Sequence, residues 1–322
     1  MKPALKKLLA SSGITLALLV AAEVYLRQDV PHCGTTPFRV SDVPGLSSEF
    51  RPGFETLYKG HQTAFNSDGY RGGEFPAREE GVLRIALVGD SFTFGSAVAL
   101  EETLAPQLED ELLSRGLPAQ VLNLGVPGYC AQNVAAVVEN RALAFDPDVV
   151  IYVFYSNDVD PPPEFEEIPP DAVIDGMYGY PLHSALAQWS LVMIKRVALG
   201  FGVSLARRTP EFSRASYQEG GGGERVRDAL SRMKAATEAS GVRFAMAVFP
   251  HLTRVDMNPF RPIDELALAD SRALGIESVD LLEAFAGEED LTPYWASVFD
   301  SHPSGEGHRR AAVHLAETLW PR

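Results

Sequence analysis

Four short stretches hold residue types that chemistry uses. Gly89-Asp90-Ser91-Phe92 puts a hydroxyl beside a glycine turn, and Asn123-Leu124-Gly125 pairs an amide with a second glycine. Tyr155-Ser156-Asn157-Asp158 sets an amide beside an acid, and Asp300-Ser301-His302 places a carboxylate and an imidazole two residues apart. A serine hydroxyl is a weak nucleophile until a base takes its proton, and histidine oriented by a carboxylate is a common base for that task. Main-chain and side-chain amides can meet the oxyanion that forms when such a serine attacks a carbonyl. Acyl transfer is therefore the chemistry these residues suit, provided that the fold brings them together. Each also has a plainer reading. Asp-Ser after a strand is an ordinary helix cap, Gly125 suits a turn, and so does Asn157 with Asp158 beside it.

The remaining titratable residues narrow the choice. His32 and His61 precede the readable fold, His314 falls inside the last helix, and His308 is expected to cap that helix. His302 is left as the candidate base, with His251 after Pro250 as a candidate substrate contact. Asp90 is expected to bond neighbouring loop amides. Asp158 and Asp160, two acids without a histidine or further carboxylates, are weak evidence for a metal, and acyl transfer by a serine and a histidine requires neither a metal nor an organic cofactor.

Positioning these residues takes a regular scaffold, and the hydrophobic pattern predicts one. Strands are expected at 83–88, 119–124, 149–154, 244–249 and, more weakly, 277–281, each a short apolar run closed by turn residues. Helices are expected near 103–115, 131–145, 224–240, 263–274 and 307–319. Strands alternating with helices argue an α/β domain with a parallel sheet covered on both faces. Ligands bind outside the carboxyl ends of such strands, and there the four stretches stand. Residues 159–223 interrupt the third crossover, opening on Pro161-Pro162-Pro163 and closing on a flexible break at Gly220–Gly223. Within them Ser184–Leu205 is apolar, followed by Arg207 and Arg208. A lid, a membrane-surface helix and a helix packed on the body all suit that pattern.

The four ordered stretches resemble the SGNH (GDSL) hydrolases, serine esterases and lipases on a flavodoxin-like three-layer α/β fold with a central five-stranded parallel sheet. The resemblance runs from about residue 82 to the C-terminus. It implies Ser91 as nucleophile, His302 as general base and Asp300 as the acid that orients it. It implies an oxyanion hole from the Ser91 and Gly125 N–H groups and the Asn157 amide. The turn Asn66–Gly72 is similar to one in exported bacterial members that carry an N-terminal anchor. Two positions depart from the family pattern: Tyr155 stands where a glycine is usual, and Asp300 is one residue closer to the histidine than in Asp-x-x-His. The closer spacing is expected to need a bent loop. The implied activity is hydrolysis of carboxylic esters through an acyl-enzyme, with O-acyl groups on envelope glycans or lipids as the expected substrates. An acyltransferase using the same triad and a non-catalytic glycan-binding module are the alternatives.

Composition supports a well-cored globular body. The 322 residues are 46% hydrophobic, and 28 Lys plus Arg against 43 Asp plus Glu give a formal net charge of −15. So acidic a surface repels phosphate backbones, which argues against nucleic acid as a partner. The N-terminus reads differently. Lys2, Lys6 and Lys7 precede fifteen uncharged residues, Leu8–Ala22, before Glu23 and Arg27. Residues 1–27 are expected to be an uncleaved signal anchor with the body exported, or a signal peptide cleaved near Val20-Ala21-Ala22. Residues 28–80 are expected to be an irregular extension, and residues 81–322 the catalytic domain. In an oxidising compartment Cys33 and Cys130 could pair, but spacing alone does not decide it.

Overall fold

The computed structural model describes residues 3–28, 34–166, 169, 171, 184–200 and 210–321. Helix α1 (Pro3–Arg27) leads into two small antiparallel pairs: β1 (Phe38–Val40) with β2 (Ser48–Phe50), and β3 (Glu55–Tyr58) with β4 (His61–Ala64). The domain proper follows as β5 (Leu83–Gly89), α2 (Ser91–Phe94), α3 (Leu104–Ser114), β6 (Ala119–Asn123), α4 (Ala131–Asn140) and β7 (Val149–Phe154). After the insertion helices α5 (Ala185–Gly200) and α6 (Pro210–Gln218) come α7 (Gly222–Ala239), β8 (Arg243–Val248), α8 (Arg261–Ala273) and β9 (Glu277–Asp280). The chain closes with the pair β10 (Trp295–Ser297) and β11 (Asp300–Pro303), then α9 (Gly305–Leu319).

The five expected strands form one parallel sheet in the order β6-β5-β7-β8-β9, the flavodoxin-like order. Because side chains alternate across a strand, each apolar run feeds two cores. Ala86, Val88, Val150, Tyr152, Met246 and Val248 pack under α4, α7 and α8. Ile85, Leu87, Ile151, Val153, Ala245 and Ala247 pack under α3 and α9. The strand order reverses around β5, opening a crevice at its carboxyl end between β6 and β7. Ser91, Gly125 and Asn157 follow those three strands.

Three expectations need correction. The stretch 28–80 is not irregular, since β1–β4 lie in it. Its aromatic side chains dock on α2: Phe94 meets Phe50 at 5.3 Å, Tyr58 at 5.5 Å and Phe65 at 6.3 Å between ring centres. The glycine run is not a loose break either. Gly222 and Gly223 are buried in the first turn of α7, where Gly223 packs on the Tyr217 ring. Asp300 and His302 need no bent loop, because both lie on β11 and an i, i+2 spacing puts them on one strand face.

Among the described residues no helix is long and apolar enough to cross a membrane. Helix α1 exposes Ile14, Leu16, Leu18, Leu19 and Val20 and lies against α5. The Glu23 carboxylate accepts hydrogen bonds from Ser184 Oγ and from the N–H groups of Ala185 and Leu186 at 2.8–3.1 Å, capping α5. Cys130 carries a free, buried thiol, whereas Cys33 lies outside the described residues. Arg207 and Arg208 also lie outside them.

Candidate active site

Ser91 is the first residue of α2, directly after β5. The preceding Asp90 caps the helix, its Oδ1 accepting from the Phe92 N–H at 2.9 Å, as expected of a structural acid. The other end of this one-turn helix is held by Arg71, from the turn Asn66–Gly72. Its guanidinium donates to the carbonyls of Phe94 (3.2 Å), Gly95 (2.6 Å) and Val98 (2.7 Å). Asn66 shapes the turn by accepting from the Asp68 and Tyr70 N–H groups through Oδ1.

The half-buried Ser91 hydroxyl faces His302 on β11. His302 Nε2 lies 2.9 Å from Ser91 Oγ, although the two residues stand 211 apart in the chain. The opposite ring nitrogen, Nδ1, bonds Asp300 Oδ1, which also accepts from the His302 main-chain N–H at 3.0 Å. Burial alone would raise the Asp300 pKa. The bond to His302 and the charges of His302 and Lys59 outweigh it and hold the carboxyl well below the usual carboxylate range. Serine, imidazole and ionised carboxylate thus form one unbroken chain. In it Nδ1–H donates to Asp300, leaving Nε2 to accept from Ser91.

The expected oxyanion donors are arranged less simply. Asn157 reaches the same corner, beside the buried Asp90 carboxyl. Asp90 is shifted above the usual carboxylate range by burial, against the pull of the Phe92 N–H and the His302 charge. Gly125 is buried, and its N–H donates to Asn123 Oδ1 at 3.0 Å while Asn123 Nδ2 donates to the Thr93 carbonyl. A β-carbon at 125 would fall 2.3 Å from Phe94 N. The glycine therefore lets the loop after β6 approach helix α2 closely.

Tyr155, in place of the usual glycine, stacks its ring on Phe92 at 3.8 Å. Its hydroxyl lies 2.6 Å from His251 Nδ1, so His251 stands at the strand edge bonded to a tyrosine. Asp158 is buried, accepting from the Tyr152 hydroxyl at 2.6 Å and the Tyr155 N–H at 3.2 Å. No group of metal-binding side chains occurs among the described residues. His308 is not the cap of α9. Ser304 fills that role through the Gly307 N–H, while His308 is wholly buried beside Phe249.

Against this geometry, the profile of the GDSL-like lipase/acylhydrolase family matches residues 87–310. The chain belongs to that family. This GDSL-like acylhydrolase is an ester hydrolase, consistent with its family. Its matched span includes Ser91, Gly125, Asn157, Asp300 and His302. Among solved structures it is similar to a catalytic mutant of Axe2, an acetylxylan esterase from Geobacillus stearothermophilus. That pair shares 14% identity, with 76% of this chain and 98% of the other covered and a TM-score of 0.47. It is also similar to the lipase Lip_vut3 from a goat rumen metagenome at 14% identity, covering 75% and 99% with a TM-score of 0.46. No curated protein matches.

Two site contributors escape sequence reasoning in this GDSL-like acylhydrolase. Arg71 was visible only as part of a turn, and nothing local says that it holds α2. Lys59, at the tip of the β3–β4 hairpin, reaches Asp300 from 241 residues away. The available signal was Lys-Gly between two short alternating segments, which marks a hairpin turn without saying where its tip points.

Proposed function

We propose that this GDSL-like acylhydrolase cleaves carboxylic esters through an acyl-enzyme on Ser91, with His302 as general base and then acid, and Asp300 holding the imidazole. The observation that carries this reading is the continuous hydrogen-bonded chain Ser91–His302–Asp300. The Ser91 N–H and the Asn157 amide would meet the oxyanion. The Gly125 N–H would have to leave Asn123 Oδ1 to join them. O-acyl esters of envelope glycans or lipids are the proposed substrates, reached from residues 1–27 as a membrane anchor that places the body on the extracytoplasmic side. Three lysines before an uncharged run, and an α1 that exposes its apolar side chains, support that placement.

A fluorophosphonate probe should label Ser91, and Ser91→Ala should lose about 10⁶-fold in kcat on p-nitrophenyl acetate while keeping its fold. Label on another serine, or turnover by a folded Ser91→Ala protein, would overturn the reading. The Tyr155–His251 pair favours a second reading, because a polar pair on an aromatic wall can hold an acceptor hydroxyl. A saccharide would then take the acyl group in place of water. Partition of the acyl-enzyme between water and added saccharide separates the two.

A further inference from the structure

The β3–β4 hairpin closes on Tyr58 paired with His61, leaving Lys59 and Gly60 as its two-residue turn. Both have positive φ, 46° at Lys59 and 86° at Gly60, the pattern of tight hairpin turns that suits Gly and Asn far better than lysine. A side chain held in that region against its steric preference is worth a functional explanation. Lys59 Nζ lies 2.8 Å from Asp300 Oδ2 and 3.5 Å from His302 Nδ1. Asp300 Oδ1 is already taken by the His302 ring and main chain, so the ammonium holds the oxygen that the histidine leaves over.

The short Asp300–His302 spacing shows what such a hold does. Two positions apart on one strand, the side chains are rooted about 6.6 Å from each other and must lean together to bond. A third contact on the far carboxylate oxygen fixes that lean. Nδ1–H donates to Asp300, so the ammonium beside it acts on the ring as a charge rather than as a hydrogen-bond partner. The other titratable groups around His302 are Asp90 before α2 and His308 on α9. The neighbouring strand β10, Trp-Ala-Ser, contributes no charge.

We propose that Lys59 is a positioning residue for the triad: its ammonium clamps Asp300 Oδ2 so that Oδ1 stays on His302. The N-terminal extension is then part of the catalytic apparatus rather than a spacer. This inference rests on the Ser91–His302–Asp300 reading.

Lys59→Met and Lys59→Arg in the full chain test it, with kcat and KM for p-nitrophenyl acetate measured for each. Lys59→Met should lower kcat by about 10- to 100-fold with KM within about twofold. Lys59→Arg, which keeps the charge, should restore most of the rate. In an Asp300→Asn background Lys59→Met should add no more than about a twofold loss, because the clamp has nothing left to hold. Wild-type kcat in Lys59→Met would overturn the proposal. So would an undiminished loss in the Asp300→Asn background, or a loss that follows a lowered melting temperature and is not restored in Lys59→Arg. Turnover by Ser91→Ala would sink the triad reading itself. An inert Ser91→Ala beside a wild-type-like Lys59→Met would sink this inference alone.

Discussion

His308 and His251 show how the surroundings of a single residue set the response of the whole fold to acid. His308 is fully buried, and neither ring nitrogen has a hydrogen-bond partner among the described residues. Burial, helped by the charges of His302 and Arg71, pushes its pKa down to about 3. Burial pushes His251 down to about 4. An unfolded histidine titrates near 6.5, so below that pH the unfolded chain takes up protons that the folded one refuses. Each histidine should therefore remove about 1.4 kcal/mol of stability per pH unit below about 6.5 and contribute nothing above it. His251 should stop costing near pH 4 and His308 near pH 3. Asp300 acts lower still: its depressed pKa keeps its contribution intact until the pH falls past the ordinary carboxylate value. In calorimetric melts the two histidines should contribute a fall in Tm between about pH 6.5 and 4.5. The buried Asp90, Asp158 and Asp264 oppose it, because their raised pKa values favour the folded state as the pH falls, so the histidine slope is read from the difference between wild type and variant. His308→Leu, close in volume, should remove about half of that slope. An unchanged slope in a folded His308→Leu protein would contradict the argument.

Among the elements, the one-turn helix α2 depends most on its neighbours, because four residues cannot hold a helical turn by themselves. Asp90 caps its start, Arg71 holds its last carbonyls, and the loop after β6 presses on its flank at Gly125. Gly125→Ala would place a methyl 2.3 Å from Phe94 N and 2.7 Å from Thr93 C, both main-chain atoms that cannot swing aside. We expect a loss of about 1–3 kcal/mol in denaturant unfolding and about 10²-fold in kcat as Ser91 moves off the His302 axis. A Gly125→Ala enzyme with full stability and turnover would show that the contact is not needed. The legibility of the fold divides at this scale. Strands β5, β7 and β8 could be read because a parallel strand buried on both faces is an apolar run with a sharp end, whereas the edge strand β9, Glu-Ser-Val-Asp, carried only a weak signal. Ser91, Gly125 and Asn157 could be placed at the ends of β5, β6 and β7. The extension could not, because strands of three or four residues leave no period to count, and Arg71 and Lys59 gain meaning only from partners far along the chain. The pairing of Asp300 with His302 was legible as types, but its strand geometry was not, since a run of four mixed residues carries no strand signal.

For the whole molecule, the proposed anchor is tied to helix α5 of the insertion, since Glu23 near the end of α1 caps α5 in the middle of the chain. Alkaline phosphatase fused to the C-terminus should be active, and the full chain should sediment with membranes. Deletion of residues 1–27 should release a soluble protein that keeps its turnover on p-nitrophenyl acetate, while protease cuts the insertion faster because its cap is gone. An inactive reporter on a stable fusion would refute export, and undiminished sedimentation of the deleted form would refute the anchor. The distances along the chain at the site have a further consequence, in time. Ser91 leaves the ribosome 211 residues before His302, an interval of about 10–40 s at ordinary synthesis rates. Throughout it the serine is an ordinary alcohol. On the proposed triad, the nascent chain is chemically silent until almost all of it has been made, and the ability to attack an ester would arrive in a single late step, when the strand bearing His302 pairs beside the hairpin that was made early.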